Sequence, residues 1–216
     1  MLSVDNVAPS QSRLKFYVRT PHTSFSSVRA IMTMGGKIDV AESQLSDLRS
    51  LIVAAAGLEP DFPDDAEVPL APEPNSGFKT TLAEMPVPLS GYEYYFDIAP
   101  GAVVPHIKFY LPLRHYGPDD LTMARGLTSW METRGRGQYM YGQRYLAMLE
   151  RMSDHRKLGD GKGMHAYLSC IFAKGELDIT SCIAPELCVP AASTPPKIVI
   201  PRRATRRRGD SPIGMD

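Results

Sequence analysis

The tripeptide Lys-Phe-Tyr occurs at residues 15–17 and again at residues 108–110, each time within a stretch of alternating polar and apolar side chains. Alternation with a period of two predicts a β-strand with one polar and one apolar face. The polar faces carry Arg13, Lys15, Tyr17 and Arg19 in the first strand and His106, Lys108 and Tyr110 in the second. A face that combines cations with phenol rings is either a solvated surface or the wall of a binding site.

Hydrophobic periodicity along the rest of the chain predicts three β-hairpins separated by pairs of helices. The strands are expected at 2–7, 13–19, 92–98, 106–112, 165–172 and 176–183, and the helices around 25–31, 45–55, 121–130 and 141–152. Ser43 is the expected N-cap of the second helix and Gly57 its end. Because the helices lie between hairpins, they can cover only one face of an antiparallel sheet.

If this sheet curls, its uncovered polar face lines a lumen. The side chains expected there are Arg13, Lys15, Tyr17, Arg19, His106, Lys108, Tyr110, His165 and Tyr167. Cations would bind an anion of several charges, and phenol rings would stabilise a neighbouring cation by about 0.5–2 kcal/mol each. An allylic diphosphate needs both. A solvated face is the simpler interpretation of either strand alone, but the repeated tripeptide favours the lumen.

Composition limits the kinds of partner. The 216 residues include 24 basic and 24 acidic ones, so no overall charge attracts the chain to nucleic acid or to a membrane surface. No apolar run approaches the roughly 20 residues that span a bilayer, and the N-terminus lacks the features of a signal peptide. Cys170, Cys182 and Cys188 indicate a reducing compartment without a disulfide framework. We therefore expect a cytoplasmic protein with neither nucleic-acid nor membrane partners.

Two segments lie outside the regular pattern. Residues 59–88 are rich in proline and acid, which predicts a surface loop, and a metal site at Asp61, Asp64 and Asp65 is the less favoured interpretation. Residues 191–216 are rich in proline and arginine and are expected to form a disordered tail beyond a domain at residues 1–190. The arginines of this tail could contact RNA or act as a nuclear signal, although a solvated tail is favoured.

Five short stretches resemble motifs of one known family when they are taken together and in this order. They are residues 12–20, 32–36, 94–101, 107–112 and 175–181. Through them the chain resembles the C-terminal part of aromatic (indole) prenyltransferases of the dimethylallyltryptophan synthase type. The resemblance implies an α+β fold, in which an antiparallel β-barrel of ten strands is ringed by α-helices and built of α-β-β-α units (the ABBA barrel). This chain would hold about six of those strands.

The resemblance also implies an activity and a set of site residues. A dimethylallyl group would pass from dimethylallyl diphosphate to an indole or tryptophan-type acceptor in alkaloid (secondary) metabolism, with no cofactor and no requirement for magnesium. By the family motifs, Arg13, Lys15 and Lys108 would hold the diphosphate, and Tyr17, Tyr110 and Tyr167 would shield the allyl cation. Cys182 stands where the family usually has a further shield tyrosine.

The chain is also about half as long as members of that family. The carboxylate that serves as base in the family lies in the part that has no counterpart here. The implied enzyme would therefore act as a homo-oligomer or with a complementing N-terminal half. The alternative is a non-catalytic half-barrel module that retains binding of a diphosphate or an indole. RNA binding is a third and weaker hypothesis, because the net charge is zero.

Overall fold

The protein's structure, a computed structural model, describes residues 1–5, 7–71, 91–137, 144–153 and 155–184. In these ranges six strands form one sheet in the order of the sequence, and every neighbouring pair is antiparallel. The strands are β1 (Leu2–Val4), β2 (Leu14–Thr20), β3 (Tyr92–Ile98), β4 (His106–Leu111), β5 (His165–Ala173) and β6 (Glu176–Ile183). The helices are α1 (Phe25–Met32), α2 (Glu42–Ala56), α3 (Leu113–Tyr116), α4 (Asp120–Thr133) and α5 (Arg144–Met152). The predicted succession of hairpins and helix pairs is confirmed, with the short α3 added.

The ends of α2 show what local sequence does and does not specify. Gly57 ends the helix as predicted, with a φ of 66° in the left-handed region that favours glycine. The prediction of Ser43 as N-cap is wrong, because the helix already begins at Glu42 after Ala41. The backbone N–H of Ala41 donates to Oε1 of Gln44 at 3.3 Å, so a side chain from the first turn supplies the cap.

The last hairpin turns at Lys174-Gly175, as the sequence predicts. Both residues have positive φ, 51° and 81°, which fits the right-handed twist of a two-residue hairpin turn. The flanking residues Ala173 and Glu176 pair directly, and the register continues without a shift through six further residue pairs as far as Tyr167 and Cys182. This turn therefore fixes which side chains of β5 and β6 face one another.

The helices cover one face of the sheet and form the core with it. Tyr94, Phe109, Leu168 and Leu177 on that face are at most 1% exposed. Cover is incomplete near β2, because Val18 on the same face stays 48% exposed. The helical layer is therefore centred on β3 to β6.

Helices α2 and α4 approach each other closely. A Cβ atom at Gly126 would lie 2.3 Å from the carbonyl oxygen of Ala54, so only glycine allows the two backbones to meet here. Nearby, Trp130 Nε1 donates to Ser50 Oγ at 3.0 Å, which satisfies the indole N–H inside the contact. This pair of helices forms a rigid layer behind the sheet.

The acidic segment after α2 packs against the domain instead of extending from it. Val68 is 7% exposed in the core, and the Glu67 carboxylate accepts hydrogen bonds from Thr23 and Ser24 where α1 begins. Asp64 pairs with Arg49, and residues 59–71 contain no helix or strand. Across the described ranges, no group of acids, histidines or cysteines is arranged to hold a metal ion.

Some predictions concern residues outside the described ranges. These are the loop residues 72–88, the start of the predicted helix at 141–152, Cys188 and the tail at 191–216. Within the described ranges, no helix is both long and apolar enough to cross a bilayer.

Candidate functional site

The sheet face opposite the helices, which we call the polar face, is organised in rows that run across the strands. From one end of the strands to the other, the facing side chains are Lys15, Asp97 and His106, then Tyr17, Tyr95 and Lys108, then Arg19, Glu93 and Tyr110, and last Tyr167 and Cys182. The predicted lumen residues on β2 and β4 thus share one face with Tyr167, and Arg13 lies just before β2 at the same end as Lys15.

Two cations at the first row are paired with carboxylates. Arg13 Nη1 donates to Asp97 Oδ2 at 2.9 Å, and Arg13 Nε lies 3.5 Å from Asp5 Oδ2. Lys15 forms an ion pair with Asp5, and the hydrogen bond from Lys15 lowers the pKa of that carboxyl group below its usual value. This end of the face therefore carries alternating charge, and an incoming anion would compete with Asp5 for Lys15.

Lys108 differs from the other cations of the polar face. Its Nζ lies 5.5 Å from the centroid of the Tyr110 ring, a cation–π distance. Among the described residues, no carboxylate forms an ion pair with Lys108, whereas Arg13 pairs with two carboxylates and Lys15 and Arg19 with at least one each. Lys108 can therefore bind an anion without first giving up an ion pair.

Four tyrosines form two aromatic pairs in the middle and at the far end of the face. The ring centroids of Tyr17 and Tyr95 are 4.9 Å apart, and those of Tyr110 and Tyr167 are 6.3 Å apart at 87°, an edge-to-face contact. Burial raises the pKa of Tyr110, and charges on Tyr17, Cys182 and Glu93 would raise it further. Tyr110 therefore stays neutral near pH 7, and the three predicted shield tyrosines lie on the same face of the sheet.

Arg19 shows that the sheet curls around this face. Its Nη2 donates to Glu93 Oε2 at 2.9 Å, and this hydrogen bond is the main reason that the pKa of Arg19 is raised. A hydrogen bond with Tyr167 also contributes to the raised pKa. Strands β2 and β5 would be roughly 14 Å apart in a flat sheet, where side chains stand upright and do not meet. A contact between Arg19 on β2 and Tyr167 on β5, across the two strands that separate them, therefore requires a concave polar face.

The expectation that His165 faces the lumen is wrong. A β-bulge between His165 and Tyr167 breaks the alternation, so Tyr167 faces Cys182 on the polar face while His165 turns to the helices. His165 is fully buried, with Nδ1 2.9 Å from Oδ1 of Asp120 and Nε2 3.0 Å from the hydroxyl of Tyr145. A one-residue bulge carries no reliable signal in a sequence.

Asp120 is the centre of the network that holds this bulge. The carboxylate is completely buried and accepts hydrogen bonds from the backbone N–H groups of Met164 and His165, and it pairs with Arg156. Burial alone would raise the pKa of Asp120, but the hydrogen bonds from His165 and Arg156 outweigh it and lower the pKa to about 2.

The lowered pKa gives a testable pH dependence. Because the folded-state pKa of Asp120 lies below the unfolded value of 3.8, its stabilisation is complete above pH 4 and is lost as the pH falls toward 2. We expect the wild-type chain to lose about 1 kcal/mol more unfolding free energy than the Asp120→Asn variant between pH 5 and pH 3. Urea unfolding at the two pH values measures the difference, and equal losses in both chains would contradict it.

The carboxylates of the polar face were missed at the level of sequence. Glu93, Tyr95 and Asp97 alternate on β3, so a period of two does place them on one face. Which face that is depends on the register with β2 and β4, which pairs Glu93 with Arg19 and Tyr110. The alternation of these polar residues is present in the sequence, but it is hard to recognise because β3 is so rich in aromatic residues.

Comparison with known proteins identifies a matching family model and several relatives of this chain. A family model described as tryptophan dimethylallyltransferase matches residues 1–148. Prenyltransferase anuH of Penicillium roqueforti is 58% identical over 98% of this chain, which corresponds to 46% of that protein. Xanthone prenyltransferase B of Emericella nidulans is 41% identical over 97% of this chain and 44% of its own length. The chain thus spans less than half the length of these relatives.

Solved structures share the fold at low sequence identity. AnaPT from Neosartorya fischeri superposes with a TM-score of 0.60 at 19% identity, over 85% of this chain and 38% of AnaPT. NotF in complex with brevianamide F and DMSPP gives a TM-score of 0.61 at 19% identity, over 85% of this chain and 40% of NotF. The six antiparallel strands and their helices therefore have the fold of part of an ABBA prenyltransferase barrel.

Proposed function

This chain belongs to the tryptophan dimethylallyltransferase family of prenyltransferases, and from that premise we propose that its polar face binds dimethylallyl diphosphate and directs the allyl group to an aromatic ring. One observation carries the proposal: Arg13 and Lys15 lie at one end of a single concave sheet face, and Tyr17, Lys108, Tyr110 and Tyr167 follow along it. Such an order matches a substrate with an anionic end and an allyl end that becomes cationic.

The diphosphate would be held at the cationic end. Arg13 and Lys15 come from the start of β2, and Lys108 lies on β4 in the next row along the face. Their charges would stabilise the leaving group as the carbon–oxygen bond breaks, so no magnesium ion is needed in this proposal. Release of Lys15 from Asp5 would accompany binding, because both anions compete for one ammonium group.

The allyl cation would then lie among the tyrosines. Tyr17, Tyr110 and Tyr167 offer π faces that stabilise positive charge and exclude water, which would otherwise capture the cation. A carbon of the acceptor ring bonds to the allyl carbon, and the ring then loses a proton to regain aromaticity. Cys182 lies opposite Tyr167 and provides no aromatic ring at that position.

Two classes of acceptor fit the family. An indole or tryptophan-type acceptor, used in alkaloid metabolism, follows from the family description. A hydroxylated tricyclic or smaller phenolic ring is the second candidate, because relatives at 41% identity are named xanthone prenyltransferases, whereas NotF shares only 19%. Both acceptors are electron-rich rings that can attack a carbocation.

The length of the chain bears on whether it acts alone. Since it spans less than half of its relatives, we propose that turnover requires the remaining strands, from an N-terminal half or from a second copy of this chain. A half-barrel that binds the diphosphate without catalysis is the alternative. Binding of dimethylallyl thiolodiphosphate without any product, by this chain and by an N-terminally extended chain alike, would favour that alternative.

The activity test uses this chain and the extended one with dimethylallyl diphosphate in EDTA, offered tryptophan or 2,7-dihydroxynaphthalene. Mass spectrometry should detect an acceptor that carries one dimethylallyl group. In whichever chain is active, Tyr110→Leu should lower the rate roughly 2- to 30-fold through loss of a cation–π contact, whereas Tyr110→Phe keeps the ring and should stay near wild type. An equal loss in both variants would show that the hydroxyl and not the π face matters. Absence of product from both chains would contradict prenyl transfer.

A further inference from the structure

The pair of Glu93 and Arg19 occupies the part of the polar face farther from the cationic end. Along β2, Lys15, Tyr17 and Arg19 point the same way, so Arg19 lies roughly 13 Å from Lys15 at the usual rise of a strand. Glu93 stands opposite Arg19 and next to Tyr110. A five-carbon allyl chain whose diphosphate lies at Lys15 would reach the tyrosines, and Glu93 flanks the place where an acceptor must meet it.

The hydrogen bonds of Glu93 leave half of its carboxylate available. Oε2 accepts from Arg19 at 2.9 Å, while no donor among the described residues contacts Oε1. The side chain is 25% exposed, so a ligand can reach it from the concave side. The ion pair with Arg19 fixes the orientation of the carboxylate, which is the preorganisation that a selective hydrogen bond requires.

We propose that Glu93, held by Arg19, accepts a hydrogen bond from a phenolic hydroxyl of the aromatic acceptor and selects acceptors that carry one. This role rests on the prenyl transfer proposed above and identifies the acceptor class for the same site. An ionised carboxylate only accepts hydrogen bonds, so it favours a ring with an O–H donor over an ether or a bare ring. An O–H donor also forms shorter bonds to a carboxylate than an N–H donor does, which favours a phenol over an indole.

The test measures the binding of three probes to this chain by calorimetry. The probes are 2,7-dihydroxynaphthalene, its dimethyl ether and dimethylallyl thiolodiphosphate. Glu93→Gln should weaken binding of the dihydroxy compound about 5- to 12-fold, because a charged hydrogen bond becomes a neutral one. Binding of the dimethyl ether and of the thiolodiphosphate should stay within about 2-fold of wild type, since neither donates a hydrogen bond to Glu93.

Two further variants keep this test decisive. Glu132→Gln removes the same charge from an exposed position of α4, in the helical layer on the other side of the sheet, and should bind all three probes like wild type. Glu93→Asp keeps the charge beside Arg19 but withdraws it by one methylene group, so it should also weaken binding of the dihydroxy compound. Circular dichroism checks that each variant is folded.

The possible failures can be told apart. Two results would show that Glu93 does not recognise the hydroxyl group. Either Glu93→Gln and Glu93→Asp bind the dihydroxy compound as tightly as wild type, or they lose affinity for the dihydroxy compound and for its dimethyl ether to the same extent. If tryptophan, titrated in addition to the three probes, binds more tightly than the dihydroxy compound and its binding depends on Glu93, the assigned acceptor class is wrong. If the wild-type chain fails to bind the thiolodiphosphate, the proposed function fails instead, and that result comes from a separate titration.

Discussion

Replacing Lys108 with alanine is expected to weaken the binding of dimethylallyl thiolodiphosphate about 10- to 100-fold. A hydrogen bond between charged groups contributes about 1.5–3 kcal/mol, and every 1.4 kcal/mol changes a dissociation constant tenfold. Lys108 should show the full effect, because no carboxylate among the described residues is paired with it. Lys15→Ala should cost less, since the diphosphate displaces Lys15 from Asp5 before it gains the contact.

Calorimetric titration of the variants in EDTA measures these differences. Lys37→Ala is the matched control, because Lys37 is exposed in the turn between α1 and α2, two of the helices that cover the opposite face of the sheet. It should bind like wild type. Equal affinities for Lys108→Ala and wild type, or a larger loss in Lys15→Ala than in Lys108→Ala, would contradict the assignment of Lys108 as the accessible cation of the polar face.

Replacing Asp120 with alanine is expected to lower the free energy of unfolding by about 3–5 kcal/mol, the usual cost of removing one partner of a buried ion pair. Arg156 would lose its carboxylate, and the backbone N–H groups of Met164 and His165 would lose their acceptor inside the protein. The bulge that turns Tyr167 toward the polar face depends on this network, so the variant should also weaken the binding of ligands there.

The neighbouring Asp119 provides the matched control for Asp120. Its side chain accepts a hydrogen bond from the backbone N–H of Thr122 at 2.8 Å and caps α4 from the surface. Asp119→Ala should therefore cost only about 1 kcal/mol. Urea unfolding of both variants makes the comparison, and similar losses from the two substitutions would show that the buried network contributes no more than an ordinary helix cap.

Much of the fold could be predicted from the sequence, because its elements depend on local patterns. The alternation around Lys15 and Lys108 predicts two strands with the correct faces, and Lys174-Gly175 predicts the last turn. The wrong predictions arise where the structure is determined by a contact that the local sequence pattern does not reveal. Gln44 caps α2 in place of Ser43, and the bulge before Tyr167 turns His165 to the helices.

The same distinction applies to the candidate site, where local patterns predict some residues and cross-strand pairing determines the others. Side chains that share a strand, such as Lys15 with Tyr17, are placed together by the period of two alone. The role of the carboxylates Asp5, Asp97 and Glu93 can be recognised only when the cross-strand register is known. That register pairs each of them with a cation of β2 or of the residues before it. Register depends on the packing of the whole sheet, so the sequence predicts the cations but not the anions that balance them.

The central claim is that side-chain cations on the polar face bind an allylic diphosphate. Titration of the wild-type chain with dimethylallyl thiolodiphosphate, in EDTA and again with magnesium, tests it most directly. We expect saturable binding with one site per chain and the same affinity in both buffers, because Arg13, Lys15 and Lys108 supply the positive charge. No binding in either buffer, or binding only when magnesium is present, would contradict it.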